Sequence, residues 1–401
     1  MIVSTENGLY CPAGNFYIDP WRAVDTAIIT HAHSDHARFG SNKYFCVKQS
    51  EGILRYRLGE DFSADTLEYG EVIKLGDVQV SLHPAGHILG SAQVRVERAG
   101  QVWVASGDYK READPTCAPF EPIKCDTFIT ESTFGLPIYT WQSDSEVFEE
   151  VNKWWRKNAE EGKSSLILGY SLGKAQRLLK GIDSSIGPIY THGAIEALNE
   201  IYRASGISLP ETQRVPLIKA TKSYAGALIV APPAVLGSAW VKRFGTVSTA
   251  FASGWMRIRG MRRRYAVDRG FVLSDHADWP SLLRTIRETG AQKVLVTHGY
   301  SDVLVRYLRE IGIDSDVMET QYQGESEESV LESQIQADSE TAAGEIEAAP
   351  LNDKQSKDTQ SGEDISTDQS DSSSEPIDAS RTDQDENNDE FSDPLFKEDQ
   401  Q

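Results

Sequence analysis

The stretch Thr30-His31-Ala32-His33-Ser34-Asp35-His36 follows the apolar run Ala27-Ile28-Ile29, with Asp25 just ahead of it. Three imidazoles and one carboxylate fall within six residues. Neutral imidazole ligates zinc and other borderline metals, and a carboxylate adds a hard oxygen. In extended backbone His31 and His33 point the same way, so both can reach one metal. Asp35 and His36 lie on the next turn, where they can serve a second. A surface histidine cluster is the bland alternative, but rings packed behind a buried strand would then leave polar nitrogens unpaired.

Working outward, five more polar groups stand where apolar strands end. His87 lies in the small-residue turn Pro84-Ala85-Gly86-His87-Ile88-Leu89-Gly90-Ser91. Asp108 follows the strand at 102–105, and Glu131 follows the strand at 127–130. His276 sits in Leu273-Ser274-Asp275-His276-Ala277-Asp278, and His298 in Val296-Thr297-His298-Gly299. Strand ends and the loops beyond them are where layered α/β proteins build sites. Any one of these groups has a structural reading as a cap or a bonded surface ring. Six of the eight histidines sharing the pattern is hard to explain that way.

The 401 residues carry 61 acidic and 40 basic side chains, a formal charge of −21. The charge is uneven. Residues 324–401 hold 24 acidic and 4 basic side chains, net −20, which leaves 37 acidic and 36 basic in 1–323, net −1. The body therefore carries no charge penalty against a polyanion. The tail is rich in Ser, Asp, Glu, Gln and Thr and reads as disordered, because it cannot bury enough apolar surface to offset its ordering entropy. Its one apolar island, Phe391 and Asp393-Pro394-Leu395-Phe396, reads either as chance or as a short docking peptide. No apolar run is long enough for a membrane span and no signal-peptide pattern opens the chain. The four cysteines form no CxxC pair, which argues against a disulfide scaffold or zinc ribbon. A cytoplasmic setting is expected.

Short apolar or alternating runs predict strands at 26–30, 78–83, 94–97, 102–105 and 127–130. Helical spacing begins at 145–161. Strand and helix signals then alternate: strands at 165–168, 189–191 and 227–230, helices at 173–181 and 194–205, which predicts a parallel α/β unit. Strands at 266–273 and 293–297 flank a helix at 279–289.

Together these motifs resemble the metallo-β-lactamase superfamily: HAHSDH at 31–36 matches its HxHxDH motif, His87 its third motif and Asp108 its fourth. The 190-residue interval between Asp108 and His298, with Glu131, His276 and His298 resembling three extra motifs, is similar to the β-CASP nuclease branch. Residues 169–177, Gly-Tyr-Ser-Leu-Gly-Lys-Ala-Gln-Arg, resemble that branch's strand–turn–helix. Segments 9–21, 253–264 and 268–280 are similar to bacterial ligase-associated DNA exonucleases. The resemblance covers about residues 1–320. It implies an αββα metallo-β-lactamase sandwich at 1–142 and 261–323, a β-CASP-like α/β insert at 143–260, and a disordered acidic tail at 324–401.

The resemblance also implies a division of labour. One divalent metal would be held by His31, His33, His87 and Asp108, a second by Asp35, His36, Asp108 and His298. Zinc is the first expectation and manganese the other fit. The nucleophile would be a hydroxide between the metals, with Asp35, His276 and Glu131 in the catalytic group. His276 would be general acid, Glu131 would orient it, and Asp25 would hold a ligand histidine from behind. The implied function is a DNA exonuclease in repair, associated with an ATP-dependent DNA ligase and a helicase.

Two segments suggest nucleic-acid contacts. Ser171 and Lys174 stand at a Gly-rich turn opening a helix, where a phosphate could be cradled. Arg257, Arg259, Arg262, Arg263 and Arg264 put five guanidiniums in eight residues beside Trp255 and Tyr265. They suit phosphate contact with aromatics to stack bases; a solvated, acid-paired strand face is the alternative. An RNA-processing β-CASP ribonuclease, an inactive partner-recruiting scaffold and a small-molecule hydrolase are the competing functions. The intact ligand set argues against the scaffold, and the insert with its arginines argues against the small-molecule enzyme.

Overall fold

The structure, a computed structural model, describes residues 1–59, 61–216 and 223–322. The expected disorder of 324–401 and the apolar island near its end lie outside the described residues.

Three sheets organise the chain. The first runs in chain order through Val3–Thr5, Gly8–Cys11, Phe16–Ile18, Thr26–Ile28, Lys43–Val47 and Asp65–Leu67. The second has the spatial order Asp314–Val317, Lys293–Gly299, Thr127–Ser132, Gln101–Ala105, Ala92–Arg98, Val78–Pro84, Val72–Leu75. These two sheets face each other. Leu9, Phe16, Ile18 and Ile28 from one interleave with Val80, Leu82, Val94, Val96 and Ile129 from the other in a single apolar core.

Helices cover both outer faces. On the second sheet, Leu282 and Ile286 of Trp279–Thr289 and Leu304 and Leu308 of Ser301–Glu310 pack on Val104, Phe128 and Val294. Sequence sets the ends of the first of these helices. Asp278 accepts from Ser281 N at 3.0 Å at the start, Pro280 occupies the first turn, and Gly290 closes the end at φ 66°. On the first sheet, Ile53 and Leu54 of Glu51–Leu58 are joined by Leu198 and Tyr202 of Gly193–Ala204. The result is the mixed α/β, helix–sheet–sheet–helix arrangement of the metallo-β-lactamase fold. Among the described residues, no helix is long and apolar enough to cross a membrane.

The third sheet is all parallel, in the order Gln213–Arg214, Ile189–Thr191, Leu228–Ala231, Ser164–Leu168, Val247–Ala252, Arg269–Phe271. Its central strands are apolar on both faces, as a parallel sheet covered on both sides requires. Helix Asp144–Glu160 packs Val147, Val151 and Trp155 onto it, and starts at a capping box between Ser143 and Glu146.

Two expectations change here. The predicted strand at 266–273 shortens to Arg269–Phe271 and pairs with Val247–Ala252. The third sheet therefore runs past residue 260, where the sequence reading ended the insert. A single short edge strand containing Arg and Gly gives too weak a local signal to show which sheet it joins. The arginine run is not extended either: Gly254–Arg257 is a 3-10 turn and Arg259–Arg264 a short helix.

Trp155 is fully buried beneath the third sheet, with Nε1 donating to Gly226 O at 3.0 Å. Trp155→Ala is expected to cost about 3–5 kcal/mol, read as a lower denaturation midpoint in chemical unfolding.

Candidate metal centre

The expected ligands converge on one carboxylate. Asp108, 2% exposed, stands just beyond strand Gln101–Ala105. Its Oδ2 lies 3.5 Å from His31 Nε2, 3.6 Å from His36 Nε2 and 3.9 Å from His87 Nε2, and its Oδ1 lies 3.2 Å from His298 Nε2. Three groups of potential ligand atoms share it: His31, His33, His87 with Asp108; His36, His298 with Asp108; and Glu131, His276 with Asp108. Asp35 sits at the rim, Oδ2 3.6 Å from His36 Nε2 and in contact with solvent.

The fold fixes which nitrogen of each ring faces inward. Thr30 Oγ1 donates to Asp19 and so accepts from His31 Nδ1 at 3.0 Å. Thr297 Oγ1 donates to Thr130 O and accepts from His298 Nδ1 at 3.0 Å. His36 Nδ1 donates to Asp19 Oδ2 at 2.8 Å, and His87 Nδ1 to Asp275 O at 2.7 Å. In all four rings Nδ1 is engaged, so Nε2 is the nitrogen turned inward. His33 is reversed: Nε2 faces Leu172 O at 3.4 Å, leaving Nδ1 inward, 3.0 Å from His87 Nε2. Two lone pairs then face each other at hydrogen-bond distance. A cation between such groups converts repulsion into ligation, and outer partners that orient ligand histidines are the usual companions of a metal. Among the described residues, His31 Nε2, His36 Nε2, His298 Nε2 and Asp108 Oδ1 are buried without a hydrogen-bond partner, a cost that a metal removes. The donor set fits two divalent cations.

The electrostatics agree. Burial, with the neighbouring rings, pushes His31 and His33 well below the ordinary histidine range, so they are neutral, the ligating form. Burial opposes charge on His36 as well, but Asp108, Asp35 and Asp19 lift it to about 10. Burial also disfavours the Asp108 carboxylate, yet His36 and His298 hold it well below the usual range. A metal competes with the His36 proton for Nε2.

Beside this cluster, Glu131 grips His276. Its oxygens lie 2.9 and 3.1 Å from His276 Nδ1, and Oε1 also accepts from Tyr109 N at 2.7 Å. His276 Nδ1 is 4.0 Å from Asp108 Oδ2.

Three expectations are corrected. Asp25 is exposed and accepts from Asn42 Nδ2 at 2.9 Å, away from any ligand. The residue behind His36 is Asp19. It also stands at a strand end, after Phe16–Ile18, and the same rule would have found it had that three-residue strand been recognised. Lys174 is fully buried, its Nζ 3.6 Å from Asp275 Oδ2 and over the Tyr170 ring, so it is not a surface phosphate ligand. Gln176 already caps the turn: its Oε1 accepts from Gly173 N at 2.8 Å and its Nε2 donates to Ser171 O at 3.0 Å. The turn serves the metal centre instead, through Leu172 O. Tyr322, which sequence reading also missed, stacks on His36 with centroids 4.4 Å apart and donates to Asp19 O at 3.1 Å. No sequence signal marks it.

The insert is tied to the centre by Arg177, 3% exposed. It donates to Ser274 O and to Asp275 Oδ1 at 3.0 Å, and pairs with Asp144. Asp275 is the residue whose carbonyl holds His87.

No family model matches the chain. A protein of Opitutus terrae named "Probable DNA ligase" is 32% identical over 320 residues, 78% of this chain and 30% of that one. Cleavage and polyadenylation specificity factor 73 of Drosophila melanogaster is 28% identical over 42% of this chain and 29% of its own length. An RNase J-like protein of Methanocaldococcus jannaschii is 26% identical over 45% of this chain and 50% of its own. The chain thus spans 29% to 50% of the length of these relatives. An Enterococcus faecalis protein of unknown function shares the fold, with a TM-score of 0.50 at 14% identity over 72% of this chain and 78% of that one. By its fold, its histidine–aspartate centre and these relatives, the chain is similar to the β-CASP nuclease branch of the metallo-β-lactamase superfamily.

Two variants test the supports. Asp19→Ala is expected to weaken metal affinity about 10–100-fold, measured by metal analysis after dialysis against a graded chelator. Arg177→Met is expected to cost about 3–5 kcal/mol, because it strands buried carboxylates; a thermal melt reads it.

Proposed function

We propose that the chain is a metal-dependent phosphodiesterase, and specifically a DNA exonuclease of repair. The observation that carries this reading is the pair of ligand groups sharing Asp108, with the Glu131–His276 pair beside them. Two divalent cations, zinc first and manganese next, would be held by His31, His33, His87 and Asp108 and by His36, His298 and Asp108, with Asp35 at the rim. When bound they supply Lewis acidity toward a phosphate ester and a nucleophile at neutral pH.

The chain's own residues do the rest. Asp108 belongs to both ligand groups, with Oδ2 toward His31, His36 and His87 and Oδ1 toward His298. His276, with Nδ1 bonded to Glu131, keeps Nε2 as the atom that gives a proton to the leaving oxygen, a poor leaving group without it. Glu131 fixes that ring and is itself fixed by Tyr109 N. The exposed arginines at 257, 259 and 262–264 supply positive charge for the phosphate backbone.

DNA is favoured by the match to 78% of this chain in a protein named a probable DNA ligase. That similarity also supports partnership with a DNA ligase. RNA is the second reading, favoured by the relatives named as a polyadenylation factor and RNase J-like.

End-labelled single-stranded DNA and matched RNA, incubated with Zn²⁺ or Mn²⁺ beside His33→Ala protein, separate these. Stepwise metal-dependent loss of DNA, absent in the variant, is expected; cleavage of RNA alone supports the second reading, and silence on both overturns the proposal. His276→Ala is expected to lower kcat about 10²–10⁴-fold while metal content holds. Arg262→Glu with Arg264→Glu should weaken DNA binding and flatten its salt slope by about two, measured by titration at several salt concentrations.

A further inference from the structure

The ligand group on His31, His33 and His87 and the group on His36 and His298 lean on different supports. In the first, the rings steady one another: His31, His33 and His87 meet edge to face, with centroids 4.9, 4.9 and 4.8 Å apart. In the second, His36 and His298 lie 6.1 Å apart, and the ring that reaches both is Tyr322. It stacks on His36 with the planes 14° apart, and meets His298 edge to face at 5.7 Å and 81°. His36 also touches His31, at 4.1 Å, where the two groups adjoin. Tyr322 is buried and lies just past Asp314–Val317, an edge strand of the second sheet. Met318 N donates to Val296 O at 2.8 Å, and Glu319 O accepts from Ser4 Oγ at 2.6 Å, so the segment crosses from the second sheet to the first. There Tyr322 Oη reaches the carbonyls of Ile18 and Asp19, and Trp21 closes on the ring edge-on at 5.6 Å.

We infer that Tyr322 is the positioning residue of the second cation site: its ring sets the planes in which His36 and His298 present Nε2, and the site on His31, His33 and His87 does not depend on it. The inference rests on the two-cation reading above and adds the residue that makes one half of the centre separable from the other. A hydrogen bond at Nδ1 fixes one point of an imidazole. Asp19 does this for His36 and Thr297 for His298. Neither bond sets the tilt of the ring, and tilting carries Nε2 away from a cation. A stacked neighbour removes that freedom for His36, and a ring edge limits it for His298. The first group has three mutually packed rings and outer bonds from Thr30, Leu172 and Asp275. Among the described residues, the ring contacts of Tyr322 are with His36, His298 and Trp21. A cavity of about 20 Å³, room for one water, lies where Asp19, Thr30, His36, His298 and Tyr322 meet. A smaller side chain at 322 would enlarge it and wet both rings, so replacements must keep the bulk.

The test strips zinc from loaded full-length protein with a graded chelator and counts the equivalents released at each step. Wild type is expected to release two. His298→Ala, which deletes a ligand of the second group, identifies that group's step by its loss. Tyr322→Leu and Tyr322→Met keep apolar bulk without a flat ring. Both are expected to release the second-site zinc at about tenfold lower chelator, and the other at the wild-type level. Tyr322→Phe, which keeps the ring, should hold both as wild type does. In the His298→Ala background, Tyr322→Leu is expected to shift nothing further. Thermal melts confirm folding, and one folded variant of the two apolar replacements suffices to decide.

An apolar replacement that loosens both zinc ions alike overturns the inference, as does one that loosens neither, or one that weakens the remaining site once His298 is gone. Tyr322→Phe behaving like Tyr322→Leu overturns it too, because the ring is then not the agent. A wild type that binds no zinc, or a single equivalent, fails the two-cation reading itself, and the role of Tyr322 falls with it.

Discussion

Everything in this molecule turns on one buried carboxylate facing a ring of imidazole nitrogens. Asp108 has four imidazole Nε2 atoms within 3.9 Å, and one of these, His87 Nε2, faces His33 Nδ1 at 3.0 Å. Lone pairs do not gather like this for stability. Each ring could turn or protonate to relieve the crowding, and each is prevented from turning by a bond on its far side. Asp19, Thr30, Thr297, Asp275 and Leu172 supply those bonds, from five separate parts of the chain. The two facing sheets exist, in functional terms, to bring those five supports around one point.

The insert is part of that support. Leu172 O, on its strand–turn–helix, bonds the far side of His33, and Gly173 comes so close to Ile88 that a Cβ would stand 2.3 Å from Ile88 Cγ2. Arg177 on the following helix binds the Ser274–Asp275 loop, whose next residue is His276 and whose carbonyl holds His87. The third sheet therefore reaches the centre through backbone carbonyls and a buried ion network, not through a phosphate cradle at its turn. A glycine and a lysine at a helix start look alike in sequence whether they meet an anion or a neighbouring loop. Burial decides between the two, and it emerges only when the sheets pack.

The regular elements were legible where local pattern and tertiary role agreed. The helices at 145–161, 173–181, 194–205 and 279–289 appear within a residue of the expected bounds, because apolar spacing and caps both mark them. The strand Val247–Ala252 was missed although it lies inside the third sheet. Its Ser, Thr and Ala residues carry little apolar signal, and its neighbours in the sheet supply the burial. The short N-terminal strands were hidden in the same way, and with them Asp19.

The ligand types, their order and their strand-end placement were set by sequence alone, since chemistry confines such residues to few roles and three of the histidines are adjacent by chain connectivity. Tertiary structure alone decided which nitrogen each histidine presents, that Asp19 and not Asp25 stands behind His36, that Tyr322 stacks on it, and that Lys174 is interior. Those outcomes depend on contacts between residues as much as 303 positions apart, and no local pattern encodes a hydrogen bond across that distance.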